Sequence, residues 1–323
     1  MHKQLPAWQL IHRSLQQNID AMLLYVLESK GSSPGRQGFF MAVNASGEMS
    51  GSLGGGIMEH KFVELAKSIL KEGMAEASIH YQFHDKEAAK NQSGMICSGE
   101  QTIFVYKVKP TEVNILAALI RSMEENKNGT LQLSPEGIIF NDTIPDIDFM
   151  FEKQTGDNFI YQEKTGYKHH LFVIGGGHCS LSFCRLMSGM DFYISLLDDR
   201  EELNTINQNL YVHEKTIVSH YSLLKDIIPA ANNVYVVIMT MGYRSDETAL
   251  KALLGKSFKY LGILGSKTKI SKMFANLQIE GIAHEILDNI HAPVGIPIHS
   301  QSPEEIAISI AAEIIKIKNT MTE

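Results

Sequence analysis

The sequence contains few cysteines, and none of them is spaced as in a common metal site. Its three cysteines are Cys97, Cys179 and Cys184, and no Cys-x-x-Cys pair occurs. Because structural zinc sites and thiol redox motifs depend on such pairs, the sequence gives no indication of either. A low and odd number of cysteines is typical of a reducing compartment, which predicts free thiols.

An excess of positive charge, a long apolar run and a leader segment are also missing. The 29 Lys and Arg residues against 36 Asp and Glu give a net charge of −7, so we expect no nucleic-acid partner. The longest apolar run, residues 234–241, is far shorter than the roughly 18 residues of a membrane span. The first 20 residues contain no apolar signal segment. We therefore expect a cytoplasmic protein without membrane association.

Length and hydrophobic pattern predict two α/β domains. The chain has 323 residues, of which 44% are hydrophobic and 20% charged, as in ordinary globular proteins. Residues 1–125 mix helical and strand patterns, residues 126–167 are weakly patterned, and residues 168–323 alternate strands with helices. We interpret these as an N-terminal mixed α/β domain, a connecting segment and a C-terminal Rossmann-like domain. Repeated βα units predict a doubly wound parallel sheet.

A glycine loop between a predicted strand and helix gives the strongest local signal. The segment LFVIGGGHCS contains Gly175-x-Gly177-x-x-Ser180. Gly175 permits a tight turn, Gly177 lets a phosphate approach the backbone, and Ser180 is small enough for helix–strand packing. His178 opens the helix, where it either touches a ligand or caps its own turn. The bound group is either a dinucleotide or another phosphorylated ligand, unless the loop binds nothing tightly.

Two later strand ends add candidate binding residues to this loop. Asp198 lies 23 residues after Gly175, where a ribose-binding acid is expected. Arg200 either contacts a phosphate or is a solvated loop charge. Gly265-Ser266-Lys267 follows another predicted strand, and Ser266 is either a helix cap or a phosphate contact. Ligands of such sheets bind at the carboxyl ends of the strands, which predicts that these residues share one site.

A second glycine loop lies in the N-terminal half. Gly54, Gly55 and Gly56 precede an amphipathic helix, and the free N–H groups of a helix start favour an anion. Glu59 lies in the first turns of that helix, where it either faces a ligand or balances the helix dipole. This segment is therefore a second candidate for binding a phosphorylated guest.

Cys97 lies in the glycine-containing segment SGMICSGEQ, just before a predicted strand. A thiolate on a flexible loop is a soft ligand and suits sulfur or metal chemistry, so Cys97 is a candidate for a metal or sulfur contact. The alternative is a buried, inert cysteine. On the first helix of the C-terminal domain, Cys184 is interpreted as a packing residue.

Several long segments, in the same order, resemble the xanthine dehydrogenase accessory family, also called XdhC/CoxI. The resemblance extends from about residue 21 to residue 318. It rests on these segments: GSSPGRQGFFMAVNASGEMSGSLGGGIMEH, GMICSGE, FVIGGGHCS, LLDDR, YLGILGSKTK and HAPVGIPIHSQSPEEIAISIAAEII.

The resemblance implies a maturation factor more than an enzyme. Members have an XdhC/CoxI domain followed by a Rossmann domain and form dimers. They bind molybdenum cofactor (molybdopterin), protect it while its terminal sulfur ligand is installed, and help deliver it to an apo molybdenum hydroxylase. A cysteine desulfurase supplies the sulfur. By motif match, the residues that handle the cofactor in the first domain are Gly54, Gly55, Gly56, Glu59, Cys97 and Gly99.

This chain departs from the family pattern at two places. The family's Cys-Gly-Gly motif is Cys97-Ser98-Gly99 here, which keeps the thiol but changes the loop. Relatives carry Thr-His after the fourth Rossmann strand, whereas Met241 follows Thr240 here. Asp246 matches the later acid of that segment.

Two other functions are compatible with the residues. The first is an NAD(P)-dependent oxidoreductase, in which Asp198 would select NAD over NADP. We identify no convincing catalytic acid or hydride partner for it. The second is a non-catalytic, nucleotide-binding interaction module.

Overall fold

The computed structural model describes residues 2–73, 77–83, 99–155 and 157–320. It contains two compact units, Met1–Gly166 and Tyr167–Glu323. Within the described ranges, no helix combines the length and the apolar composition needed to cross a membrane.

Unit 1 begins with an antiparallel sheet in the order β3-β2-β1-β5-β4. Helices lie against both of its faces, because the central strand is apolar on both sides. The elements are α1 (Leu5–Gln16), β1 (Ala21–Gly31), β2 (Phe40–Asn44), β3 (Met49–Gly51), α2 (Gly56–Glu72), β4 (Ala77–Phe83), β5 (Gly99–Lys107), a 3-10 helix (Pro110–Glu112) and α3 (Val113–Glu124).

Alternation along β1 explains how this sheet is covered. Met22 and Leu24 pack into the core formed with α2. Leu23 and Tyr25 point the other way, into the core formed with α1 and α3. Successive side chains of a strand point to opposite faces, so an unbroken apolar run places apolar side chains in two cores.

Residues 126–167, expected to be a connecting segment, contain a second antiparallel sheet of unit 1, in the order β7-β6-β9-β8. The last strand of the segment shows why its pattern is weak: Tyr161 and Glu163 are both buried. Tyr25 and Tyr161 both donate their hydroxyls to the Glu163 carboxylate, so a charged residue occupies a core position. The strands are β6 (Gly129–Ser134), β7 (Gly137–Asn141), β8 (Phe149–Lys153) and β9 (Phe159–Thr165).

Unit 2 has the expected doubly wound architecture, with a parallel sheet in the order β12-β11-β10-β13-β14. Apolar cores lie on both faces of this sheet. The elements are β10 (His169–Ile174), α4 (His178–Met187), β11 (Phe192–Asp198), α5 (Asn204–Gln208), β12 (Glu214–Ile217), a 3-10 helix (Tyr221–Leu223), α6 (Leu224–Ile227), β13 (Ala231–Ile238), α7 (Tyr243–Leu253), β14 (Phe258–Ile263), α8 (Lys267–Ile279), α9 (His284–Asp288) and α10 (Pro303–Asn319).

The strand order locates the crevice of unit 2. The chain moves outward from β10 to β11 and β12, then returns to place β13 on the other side of β10. The connection that follows β10 therefore leads toward β11, whereas the connection that follows β13 leads toward β14, on the other side of the sheet. Such a switch point is where open α/β sheets bind ligands.

Candidate functional site

The glycine loop after β10 has the geometry that its sequence predicts. Gly175 has a φ of +104°, and a Cβ there would lie 2.5 Å from the carbonyl oxygen of Met239. Glycine is needed at this position both for its conformation and for the close approach of the neighbouring backbone. Ser180 is 1% exposed, which agrees with the expected role of a small packing residue.

The start of α4 is open. Gly177 is the N-cap residue and no side chain caps the helix. A Cβ on Gly177 would meet no atom within 4 Å. His178 is exposed and does not cap its own turn, so the capping alternative for this residue is not seen. The N–H groups of a helix start are donors that favour an anion, and here the space in front of Gly177 is available to one.

Both carboxylate oxygens of Asp198, at the end of β11, accept hydrogen bonds within the protein. One carboxylate oxygen accepts from the N–H of Gly176 at 2.6 Å and from Nη2 of Arg200 at 2.7 Å. The other accepts from the N–H and Nε of Arg200, at 2.9 and 2.8 Å. Burial alone would raise the pKa of Asp198, but the hydrogen bonds from Arg200 and Gly176 outweigh it and hold the pKa below its usual value.

A second buried acid lies beyond β13. Asp246 is 0% exposed and accepts from the N–H of Thr240 at 3.0 Å and from its hydroxyl at 2.5 Å. The Lys269 ammonium also donates to Asp246. Lys267, the cation of the Gly265-Ser266-Lys267 motif, is exposed, and Lys269 lies in the network instead.

Sequence reasoning missed Lys269 because nothing local distinguishes it from Lys267. Ser266 is the N-cap of α8 and accepts from the N–H of Lys269 at 3.3 Å, so its cap alternative is the one observed. A Cβ on Gly265 would lie 3.2 Å from the Lys269 side chain, which therefore passes over this glycine toward Asp246. Asp246 could have led to Lys269, because a buried carboxylate needs a charged or polar partner.

The two acid–cation pairs are connected across the crevice. Nη1 of Arg200 lies 3.6 Å from the Met241 sulfur, and Met241 directly follows the Thr240 that binds Asp246. Gly242, the N-cap of α7, has no capping side chain, and a Cβ there would meet nothing within 4 Å. The cations thus follow β11 and β14, and the open start of α7 follows β13, at the edge of the sheet that holds the glycine loop.

In unit 1, the glycine loop and Gly99 come together on one segment. A Cβ on Gly54 would lie 2.3 Å from the backbone nitrogen of Gly35, and one on Gly99 would lie 2.6 Å from that of Ser33. Gly54 and Gly99 therefore both pack closely against residues 31–35. Cys97, the sulfur or metal candidate, lies outside the described residues.

Glu59 accepts hydrogen bonds from the backbone at the Gly54–Gly56 loop. Its Oε2 accepts from the Ser52 hydroxyl at 2.6 Å, from the N–H of Leu53 at 2.9 Å and from the N–H of Gly55 at 3.1 Å. The Glu59 side chain thus stabilises the backbone that leads into α2. An external anion that used the N–H of Gly55 would have to displace Glu59.

The described cysteines are not arranged for reactivity. Cys184 is 0% exposed, and burial raises its pKa to about 11, which confirms its packing role. Burial also raises the pKa of Cys179. Within the described ranges, no group of three or more His, Cys, Asp or Glu side chains could hold a metal ion.

Comparison with known families agrees with both halves of the fold. The model of the XdhC and CoxI family matches residues 14–82, and the model of the XdhC Rossmann domain matches residues 171–314. The chain belongs to the XdhC family. The glycine loop, Asp198, Asp246 and Lys269 all lie within the matched XdhC Rossmann domain.

Two relatives match nearly the whole of this XdhC-family chain. It is 24% identical to YqeB, an uncharacterised protein of Escherichia coli K12, over 94% of this chain but 44% of YqeB. It is 21% identical to a Bacillus subtilis 168 protein whose name describes it as a probable subunit of xanthine dehydrogenase, over 94% of this chain and 95% of that one.

A solved structure shares the fold of this XdhC-family chain. A crystal structure named as a xanthine dehydrogenase from Bacillus halodurans matches with a TM-score of 0.71 and 21% identity. The match covers 98% of this chain and 97% of the other.

Proposed function

We propose that this XdhC-family chain is an accessory factor for a molybdenum hydroxylase of the xanthine dehydrogenase kind, and that it binds molybdenum cofactor for sulfuration and insertion. Family membership supports the accessory role. The name of the Bacillus subtilis relative links the same chain architecture to xanthine dehydrogenase.

The observation that carries the proposal is the open start of α4 beside Gly177. Molybdenum cofactor is a pterin that carries a phosphate and the dithiolene sulfurs that hold the metal. An uncapped helix start supplies several N–H donors for the phosphate. We therefore assign the phosphate to unit 2, where Gly175 and Gly177 keep the backbone accessible.

The N-terminal glycine loop has a different role in this proposal. Glu59 binds the N–H groups of Leu53 and Gly55. It therefore acts as a positioning residue that fixes the conformation of the loop. Cys97 remains a candidate for sulfur handling from its sequence motif. The Cys97→Ser variant is expected to bind the cofactor but to lower the activity of the client enzyme. Unchanged sulfuration of the client would remove Cys97 from the proposal.

Asp198 argues against the oxidoreductase alternative. Its carboxylate accepts one hydrogen bond from Gly176 and three from Arg200, and its side chain is 0% exposed. A ribose that used this acid would have to break the ion pair. An NADH fluorescence titration with tight binding and turnover would favour that alternative over ours. An interaction module would bind a nucleotide without any effect on a molybdenum enzyme.

The deciding experiment measures cofactor binding by the purified full chain. Molybdenum cofactor released from a molybdenum enzyme is mixed with the chain, and the bound fraction is measured by metal analysis and by the fluorescence of the oxidised pterin. We expect stoichiometric binding that Gly177→Val weakens. Gly189→Ala is the matched control, because a Cβ on Gly189 meets its nearest atom at an ordinary 3.6 Å. Absence of binding by the unaltered chain would refute the proposal.

Partner binding is tested in the same system. The accessory role predicts that the loaded chain binds an apo molybdenum hydroxylase and a cysteine desulfurase, and that it is a homodimer. Co-purification with each candidate and light scattering measure these three expectations separately.

A further inference from the structure

The crevice of unit 2 presents two cations, each held by a carboxylate that has no access to solvent. Arg200 is 32% exposed and its partner Asp198 is 0% exposed. Lys269 is 25% exposed and its partner Asp246 is 0% exposed. A buried carboxylate is stable only when it is paired and hydrogen-bonded, so each acid fixes the position of its cation.

Both cations keep donors that the acids do not use. A guanidinium carries five N–H groups, and Arg200 directs Nε and Nη2 to Asp198. Its Nη1 contacts the Met241 sulfur at 3.6 Å, and a thioether is a weak acceptor. Lys269 has three N–H groups and gives one to Asp246. An oxyanion would be a better acceptor than the Met241 sulfur for the remaining donors of Arg200.

The same edge holds the open space that a ligand needs. β10 lies between β11 and β13, so the glycine loop lies between the Arg200 side and the Lys269 side. The two glycine N-caps there, Gly177 and Gly242, have no capping side chain and no atom within 4 Å of an added Cβ. Directional donors thus lie beside open space at the switch point.

We propose that Arg200 and Lys269 bind a phosphomonoester of the ligand, with Asp198 and Asp246 as the residues that position them. This inference rests on the proposed function and deepens it, because it names the ligand group that unit 2 recognises. Asp198 and Asp246 each face one cation, and the Asp199 carboxylate lies 3.8 Å from Nε of Arg200. The crevice therefore has no excess of positive charge, and selection comes from oriented donors. The crevice accordingly selects a phosphate over the free hydroxyls of a ribose.

The test compares a phosphorylated pterin with its dephosphorylated form. The oxidised fluorescent pterin of molybdenum cofactor is titrated into the full chain before and after phosphatase treatment. We expect phosphate removal to weaken binding about 10- to 100-fold, as for the loss of charge-assisted hydrogen bonds. Lys269→Gln and Arg200→Gln should weaken binding of the phosphorylated form and leave that of the dephosphorylated form unchanged. Equal binding of both forms by the unaltered chain would overturn the inference.

Two further variants keep the test valid if a single substitution causes misfolding. The double variant Asp198→Asn/Arg200→Gln removes the pair without leaving a buried charge, and Lys269→Arg keeps the cation and should retain most of the binding. Lys267→Gln is the matched control, because Lys267 is exposed on the same helix. If Lys267→Gln and Lys269→Gln weaken binding equally, Lys269 has no specific role and the inference fails.

Inorganic phosphate separates this inference from the proposed function. Its binding is measured by the rise in melting temperature of the full chain in phosphate over chloride at equal ionic strength. If the pterin does not bind, but phosphate stabilises the unaltered chain and not Arg200→Gln or Lys269→Gln, the proposed function fails and the inference stands. Equal stabilisation of all three proteins would refute the inference.

Discussion

Asp198 and Arg200 are joined by two side-chain hydrogen bonds, Nε to Oδ1 at 2.8 Å and Nη2 to Oδ2 at 2.7 Å, and by one from the backbone N–H of Arg200 at 2.9 Å. The N–H of Gly176 completes the coordination of the carboxylate. An acid in the position of a ribose ligand is therefore an internal partner that orients a guanidinium beside the glycine loop. This relationship distinguishes the crevice from an ordinary NAD site with the same sequence pattern.

Asp198→Ala should destabilise unit 2 strongly. It would leave Arg200 without its partner and the N–H of Gly176 without an acceptor, and breaking a buried pair costs roughly 3 kcal/mol. Urea denaturation followed by circular dichroism measures the loss. Glu280→Ala is the control, because the Lys251–Glu280 pair is solvent-exposed and exposed pairs contribute little. Similar losses in both variants would contradict the importance of the buried pair.

His170 should make the stability of unit 2 depend on pH. Burial lowers its pKa to about 4; Glu214 acts in the opposite direction, and His213 adds to the lowering. The folded state thus favours the neutral ring, and the unfolded state has the ordinary pKa of about 6.5. Stability from this group is complete above pH 6.5 and is lost as the pH falls toward 4.

Replacement of His170 should flatten that part of the pH profile. The Ser195 hydroxyl donates to Glu214, so it accepts from Nε2–H of His170 at 2.8 Å, and His170→Gln keeps a donor. Unfolding free energies between pH 7 and pH 4 are compared for the two proteins, with His60→Gln on an exposed part of α2 as the control. An unchanged slope in His170→Gln would exclude His170 as a source of the pH dependence.

Gly54 and Gly55 should respond very differently to alanine. Gly54 has a φ of +114°, and an added Cβ would lie 2.3 Å from a backbone atom of Gly35, whereas Gly55 has a φ of +81° and no atom within 4 Å. Gly55→Ala should cost about 1–3 kcal/mol from its conformation alone, because a positive φ with ψ near 180° is nearly restricted to glycine. Gly54→Ala must also displace backbone, so a loss above about 4 kcal/mol is expected. Equal melting temperatures of the two variants would contradict the packing of Gly54 against residues 34–35.

Glu59→Ala should loosen the start of α2. Its carboxylate accepts hydrogen bonds from three donors, and the loss of such an acceptor costs roughly 1–3 kcal/mol. Glu59→Gln keeps an oxygen at the same position and should lose less. Hydrogen exchange of the Leu53 and Gly55 amides reports the effect locally, with Glu64→Ala on the exposed Glu64–Lys67 pair as the control. Unchanged protection of both amides in Glu59→Ala would refute this role.

The main strands and helices of unit 2 could be predicted because their sequence signals are local. β13 is a continuous apolar run, and α10 begins at a capping box in which Ser302 and Glu305 bind each other's backbone N–H. The sheet of residues 129–165 could not be predicted in this way, because Glu163 interrupts the apolar alternation of β9. Its partner Tyr25 is 138 residues away in the sequence, so no local window contains the reason for its burial.

The residues of the candidate site also include some that local sequence predicts and some that it does not. Local sequence placed the glycine loop, the acid after β11 and the small residue at the start of α8, since conformational demands on glycine and helix caps act within a few residues. It did not reveal that Asp198 would be fully occupied or that Lys269 would lie in the network and not Lys267.

The sequence by itself determined the main strands and helices of unit 2, the glycine turns and the family to which the chain belongs. The tertiary structure alone decided which acid meets which cation: Asp246 and Lys269 are 23 residues apart and meet only because β13 and β14 are neighbours in the sheet. Helix caps and turns depend on adjacent residues, whereas a buried charge is satisfied by whichever partner the fold brings within hydrogen-bond distance.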